Sequence, residues 1–201
     1  MRLINYLTES NKQAKDILND VFKGKLFQEL IKTRNDSELL HKLDDAFSKY
    51  NISFEHGQQT KLPGNSLILY AQITSDGDLI IFLKKKGVLK YLQDKINDDN
   101  FNDIKKNVFF RELYLSLVHE LIHVRQFEKN PNLFKNIPKV NDMKEYLSDK
   151  DEIDAYAAQA VEEVRMFGKS KVITMYLIIF DKNDPIIDKL LKRINYYEEH
   201  S

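Results

Sequence analysis

The 201-residue sequence contains no cysteine. This absence excludes disulfide bonds, iron–sulfur clusters, cysteine-ligated zinc and thiol nucleophiles. Any metal chemistry must therefore rest on histidine and carboxylate ligands. The chain has only five histidines, so the position of each one is informative.

The sequence also lacks an excess of charge of either sign and any long apolar run. Its 31 basic residues balance its 31 acidic residues, which argues against a nucleic-acid-binding protein. The longest apolar run covers residues 172–180, whereas a transmembrane helix needs about 20 residues. The N-terminus becomes polar too early for a signal peptide. We therefore expect a soluble, cytoplasmic protein with neither a nucleic-acid nor a membrane partner.

Apolar periodicity predicts two or three amphipathic helices over residues 8–50 and further helices over 88–97, 101–128 and 150–167. An Asp-Gly turn joins the apolar runs 67–74 and 79–84, and this arrangement predicts a β-hairpin. Pro185 suits the first turn of a last helix. The run 172–180 fits either a strand or a buried helix, because periodicity does not separate the two.

These elements predict a mostly helical α+β fold with a small antiparallel sheet or hairpin. Hydrophobic residues make up 42% of the chain, which is enough for a packed core. We expect one domain over 1–201, since domains of this length are common. Within it we distinguish an N-terminal helical region (1–56), a metal-site core (65–168) and a C-terminal segment (169–201).

The chemistry is concentrated in the long central helix, where His119, Glu120 and His123 form an H-E-x-x-H motif. Residues four apart lie on one face of a helix, so both imidazoles can reach one zinc ion. Glu120 lies about 100° around the helix from His119. Its carboxylate is then beside the open coordination position, where it can take a proton from water.

The remainder of this helix is apolar around most of its circumference, and the motif belongs to a narrow polar stripe. A helix of this kind is expected to run through the core, where polar groups must be satisfied, and a bound metal ion would satisfy them. The alternative is that the stripe is the solvated face of an ordinary amphipathic helix. The stripe consists of Glu112, Ser116, His119, Glu120, His123 and Gln126.

A catalytic zinc site needs three protein ligands and one open position. No histidine follows His123 closely, so we expect a carboxylate from a second helix, and we favour Glu152. Asp154, or another residue, is the alternative ligand. A second alternative is that Glu152 merely reaches back to the helix start in a capping box with Asp149.

Taken together, the motif at 119–123 and the downstream run 152–157 resemble the zinc-dependent metallopeptidases of the gluzincin type, small bacterial and phage-encoded ones in particular. The resemblance implies a zincin-like domain that binds Zn²⁺ through His119, His123 and Glu152, with Glu120 as the general base. It also implies a peptide or protein substrate, which in zincin folds pairs with an edge strand of the small sheet. We assign Leu79–Leu83 to that edge.

The chain departs from the pattern of these peptidases in two places. Arg125 stands where a hydrophobic residue is usual, and Tyr156 stands where a carboxylate commonly supports a histidine. The oxyanion-stabilising group is therefore unassigned, with Tyr146, Tyr156 and Arg165 as unranked candidates.

The sequence thus predicts a zinc metallopeptidase that hydrolyses peptide bonds. The alternative is a zinc-stabilised binding or regulatory protein with little turnover, such as a phage accessory protein. A toxin-like peptidase delivered without a conventional signal is a further possibility.

Overall fold

A computed structural model of the chain describes residues 4–22, 26–57, 69–74, 76–83, 108–130, 132 and 142–200. The predicted helix at 88–97 and the predicted helical residues 101–107 lie outside these ranges. Among the described residues, no helix combines the length and the hydrophobicity that crossing a lipid bilayer requires.

The described residues confirm a mostly helical α+β fold, with 74% of them in helices. The helices are α1 (Ile4–Phe22), α2 (Leu26–Ile31), α3 (Asp36–Phe47), α4 (Val108–Lys129), α5 (Met143–Ser148), α6 (Lys150–Phe167), α7 (Lys171–Ile179) and α8 (Pro185–Glu199). A short 3-10 turn covers Ser48–Tyr50, and the strands are β1 (Ile52–His56), β2 (Leu69–Ile73) and β3 (Leu79–Leu83).

The predicted hairpin is confirmed, but the sheet around it is mixed. Strands β2 and β3 are antiparallel and register Ile73 against Leu79. Strand β1 pairs with β3 in parallel, so the prediction of a purely antiparallel sheet is wrong. β1 also lies inside the segment 1–56, which was predicted to be helical. Asn51, directly before this run, is a turn residue with φ of +56°, but the partner strand of β1 is distant in the sequence.

The strand order β1-β3-β2 corrects a second prediction. β3, which we assigned to an edge that could bind substrate, is the central strand and is paired on both sides. Its backbone is therefore already hydrogen-bonded to neighbouring strands and cannot add a peptide strand. The reason is that β1 covers the edge that a two-stranded hairpin would have left open.

By internal contacts the described chain divides into two compact units, and the two boundaries fall within α1 and α4. Residues 13–117 form one, here called the sheet unit; residues 1–12 and 118–201 form the other, called the helical unit. The expectation of one domain over 1–201 stays a prediction.

The core of the sheet unit forms where α3 packs against the sheet. Side chains alternate along β3, so that Leu79, Ile81 and Leu83 are all buried, as a strand with one inward face requires. Leu39, Leu43 and Phe47 recur every three to four residues on α3 and are buried as well. The rings of Phe47 and Phe54 lie 5.0 Å apart.

The helices of the helical unit begin and end at sequence signals that are visible in advance. Asp149 caps α6 by accepting from the backbone N–H groups of Asp151 and Glu152. Gly168 ends α6 with φ of +70°, a left-handed conformation that glycine adopts without steric cost. Pro185 occupies the first turn of α8, as predicted.

Residues 172–180, which fitted either a strand or a helix, form helix α7 and its C-cap. A carboxylate from the preceding helix explains this outcome. Glu163 of α6 is buried and accepts hydrogen bonds from the Ser170 hydroxyl (2.6 Å) and the Val172 N–H (3.1 Å). It thus satisfies backbone donors that a helix N-terminus leaves unpaired.

Helix α6 packs mainly against α8. On α6 the alanines 155, 157, 158 and 160 are fully buried, so small side chains surround much of this helix. On α8 the buried residues Ile187, Leu190, Ile194 and Tyr197 follow one face at helical spacing. Asp154 is bound to Arg193 and to the hydroxyl of Tyr197, and this ion pair sets the rotation of α6 against α8.

The buried side chains of the central strand β3 should contribute most to the stability of the sheet unit. Ile81 is 0% exposed, and Ile81→Ala should lower the free energy of unfolding by about 2–5 kcal/mol, because the lost contacts leave a cavity. Ile178 is 79% exposed and provides the matched control. Ile178→Ala should change the free energy of unfolding by less than about 0.5 kcal/mol. Urea denaturation followed by circular dichroism measures both, and equal effects would contradict the assigned core.

Candidate metal centre

Two histidines of α4 form one side of the candidate site. His119 and His123 are one helical turn apart and are both 6% exposed. Their Nε2 atoms lie 3.1 Å from each other. The polar stripe is therefore not a solvated face at this point, since Glu120 is buried with them at 6% exposure.

Glu152 in the first turn of α6 completes the group. Its Oε2 lies 3.5 Å from Nε2 of His119, and its Oε1 lies 3.4 Å from Nε2 of His123. One ligand atom from each of the three residues lies within 4.8 Å of the others. The structure thus brings together the three residues that the sequence singled out as metal ligands.

The separations between the three side chains are short enough for them to share an ion. Nitrogen and oxygen ligands of a bound zinc ion lie about 2.0–2.2 Å from it. The two Nε2 atoms are 3.1 Å apart, and the contact with Glu152 is 3.4 Å for His123 and 3.5 Å for His119. Each Glu152 oxygen faces a different imidazole, so the carboxylate lies across the gap between the two rings.

The hydrogen bonding of the group is also compatible with a bound cation. Oε2 of Glu152 is buried and has no hydrogen-bond partner among the described residues. Leaving a buried carboxylate oxygen unsatisfied is costly, and a metal ion at this point would satisfy it. The buried His-His-Glu group is therefore able to bind a metal ion.

The two alternatives for Glu152 do not account for its position. The Asp149 N–H, which a capping box would pair with Glu152, donates to the Tyr146 carbonyl instead (3.2 Å). The Glu152 side chain points to the imidazoles. Asp154, the rival ligand, is held by Arg193 and Tyr197 on the other side of α6.

The buried charges alter one another's ionisation. Burial raises the pKa of Glu120, and the neighbouring histidines only partly oppose this effect. Burial also disfavours ionisation of Glu152, but the contacts with His119 and His123 outweigh it and lower its pKa. Burial opposes protonation of His123, yet Glu152 and Glu120 raise its pKa to about 9. The two carboxylates thus favour positive charge at this point of the structure.

Aromatic rings enclose the site on the side of α5 and α7. The Tyr156 ring meets His119 edge-on at 4.4 Å, and it also contacts Tyr146 and Tyr176. The Tyr176 hydroxyl donates to the Leu147 carbonyl at 3.0 Å. Burial is the main cause that raises the pKa of both Tyr146 and Tyr156, so both hydroxyls stay protonated at neutral pH and can donate hydrogen bonds.

The two arginines noted in the sequence have other contacts. Arg165 pairs with Glu162 at 3.2 Å. It lies thirteen residues, about three and a half turns, beyond Glu152 on α6, which separates it from the metal group. Arg125 donates to Ser10 (2.9 Å) and to Glu9 (2.7 Å) of α1. Its departure from a hydrophobic position is thus explained by an anchor between α1 and α4 within the helical unit.

Gln126 is the neighbour of the site that sequence reasoning missed. Its Oε1 lies 2.6 Å from Nδ1 of His123, and its Nε2 donates to the Asp151 carbonyl at 3.2 Å. The sequence placed Gln126 in the polar stripe without a role. Its spacing of three residues from His123 was a signal, because residues at this spacing are neighbours on a helix.

The ligand set can be tested by metal content after dialysis against zinc. We expect one zinc ion per wild-type chain and its loss in His119→Ala. Glu152→Gln should weaken zinc binding by more than about 100-fold, which exceeds the usual loss for a residue that only supports a ligand. Glu128→Gln makes the same chemical change at an exposed position of α4; it is the matched control and should retain the ion. Equal zinc content in all four proteins would exclude this site.

No family model matches the chain, and comparisons with curated proteins and with solved structures likewise found no match.

Proposed function

We propose that the protein is a zinc-dependent metallopeptidase of the gluzincin type. His119, His123 and Glu152 would hold the ion, and Glu120 would act as the general base. The observation that carries the proposal is the convergence of three ligand atoms on one buried point, with a further buried carboxyl group directly beside it in the helix.

The donor set favours zinc among the common metal ions. Two imidazole nitrogens and one carboxylate oxygen are ligands that zinc accepts readily, and three protein ligands leave one tetrahedral position open for a reactant. Calcium and magnesium prefer six or more oxygen ligands. A site with one open position is the arrangement of catalytic zinc, whereas structural zinc is fully enclosed by protein ligands.

A zinc ion bound in such a site lowers the pKa of water and polarises a carbonyl group. Glu120 then accepts the proton of the attacking water and delivers it to the amine nitrogen as the peptide bond breaks. Burial raises the pKa of Glu120, which makes it a stronger base than an exposed glutamate. The proposal thus gives each of the four buried polar residues one role.

Replacing Glu120 by glutamine tests the catalytic part of the proposal. Glu120→Gln should retain bound zinc, because the ligands are unchanged, but should lower the peptidase rate by about 10²–10⁴-fold. The rate is measured with zinc-loaded protein on a pool of internally quenched fluorescent peptides of mixed sequence. Glu128→Gln makes the same chemical change at an exposed position of α4 and should leave the rate unaltered.

The outcomes distinguish the peptidase from a zinc-stabilised binding protein. The peptidase is supported if the wild type cleaves the peptides, Glu120→Gln does not, and added metal does not restore cleavage by Glu120→Gln. If both proteins are fully loaded with zinc and show the same low rate, the peptidase proposal is rejected and the zinc-stabilised binding protein is favoured.

A further inference from the structure

Gln126 connects two elements that each carry a candidate metal ligand. It follows His123 by three residues on α4 and contacts the Asp151 carbonyl, directly before Glu152, on α6. We infer that Gln126 is a positioning residue, which sets the tautomer and ring orientation of His123 and ties that ring to the start of α6. This inference rests on the metal site of the proposed function.

The contact between Gln126 and His123 determines which nitrogen of the His123 ring carries the proton. The distance of 2.6 Å between Nδ1 of His123 and Oε1 of Gln126 is that of a hydrogen bond. An amide oxygen can only accept, so Nδ1 must carry the proton and donate. In the neutral imidazole, Nε2 is then unprotonated and presents its lone pair toward His119 and Glu152. This tautomer is the one that binds a metal through Nε2.

The backbone of α6 fixes the orientation of the Gln126 amide group. Its NH₂ group donates to the Asp151 carbonyl at 3.2 Å. The reverse orientation would place the amide oxygen against a carbonyl oxygen, and this contact would be repulsive. The Asp151 carbonyl therefore determines that the amide oxygen faces His123.

The two histidines differ in the contacts that position their rings. Nδ1 of His119 is buried and has no hydrogen-bond partner among the described residues, and its ring lies against Tyr156. His119 is thus positioned by aromatic packing, whereas His123 is positioned by a polar bridge. A hydrogen bond from the other ring nitrogen of a metal-binding histidine typically contributes about 10–100-fold to metal affinity. We assign that contribution to Gln126.

Zinc affinity of the purified full-length protein tests the inference without any need for catalysis. The affinity is measured by competition with a chromogenic chelator, and the visible absorption of the Co²⁺-loaded protein reports ligand geometry. Gln126→Met keeps the length of the side chain but removes both hydrogen bonds. Gln126→Glu keeps an acceptor for Nδ1–H but removes the donor to Asp151. Gln159→Met is the matched control, since Gln159 is half-buried on α6 and bonds to Glu163.

We expect Gln126→Met to weaken zinc binding by about 10–100-fold and to alter the Co²⁺ spectrum. Gln159→Met should leave both unchanged. Gln126→Glu should retain most of the affinity, because a carboxylate accepts the Nδ1–H bond at least as well as an amide. This rescue would not occur if Gln126 served only to join the two helices.

Two results would overturn the inference. One is wild-type affinity in Gln126→Met, and the other is a loss in Gln126→Glu as large as that in Gln126→Met. If Gln126→Met does not fold, Gln126→Glu decides alone, since retained affinity supports the role and lost affinity refutes it. If the wild type itself binds no zinc, the proposed function fails, whereas unchanged binding in the variants refutes only the role of Gln126.

Discussion

The need to satisfy buried polar groups is the constraint on which the helical unit depends. His119, Glu120 and His123 are each only 6% exposed, in a helix whose other faces are apolar. Burying such groups without partners is costly. Glu152 and Gln126 meet part of this need, and the unsatisfied Glu152 oxygen is the part that a cation would meet.

Several contacts remote from the metal group determine where Glu152 lies. Asp149 fixes the residue at which α6 begins, and Asp154 with Arg193 fixes the rotation of α6 against α8. Because Glu152 is in the first turn of α6, both contacts act directly on the direction of its side chain. Since α6 packs along α8, the placement of one carboxylate depends on packing along the whole helix.

Part of the fold was predictable because its signals are local. The Asp-Gly turn predicted the hairpin, and Pro185 predicted the start of α8. The parallel strand β1 was not predictable in this way, because its partner lies more than twenty residues away in the sequence. The helical state of 172–180 depends partly on a distant residue as well, since Glu163 of another helix accepts from the Val172 N–H beside the local N-cap Ser170.

In the candidate site, too, some features follow from local sequence and others depend on packing between elements. The sequence by itself determined that His119 and His123 share a face, because a helix repeats every 3.6 residues, and it identified Glu152 as the favoured third member. Only the tertiary structure placed Glu152, and not Asp154, beside the two imidazoles, gave Gln126 its contacts, and made β3 a central strand. Each of these depends on how separate elements pack, and local periodicity carries no information about the rotation or pairing of one element against another.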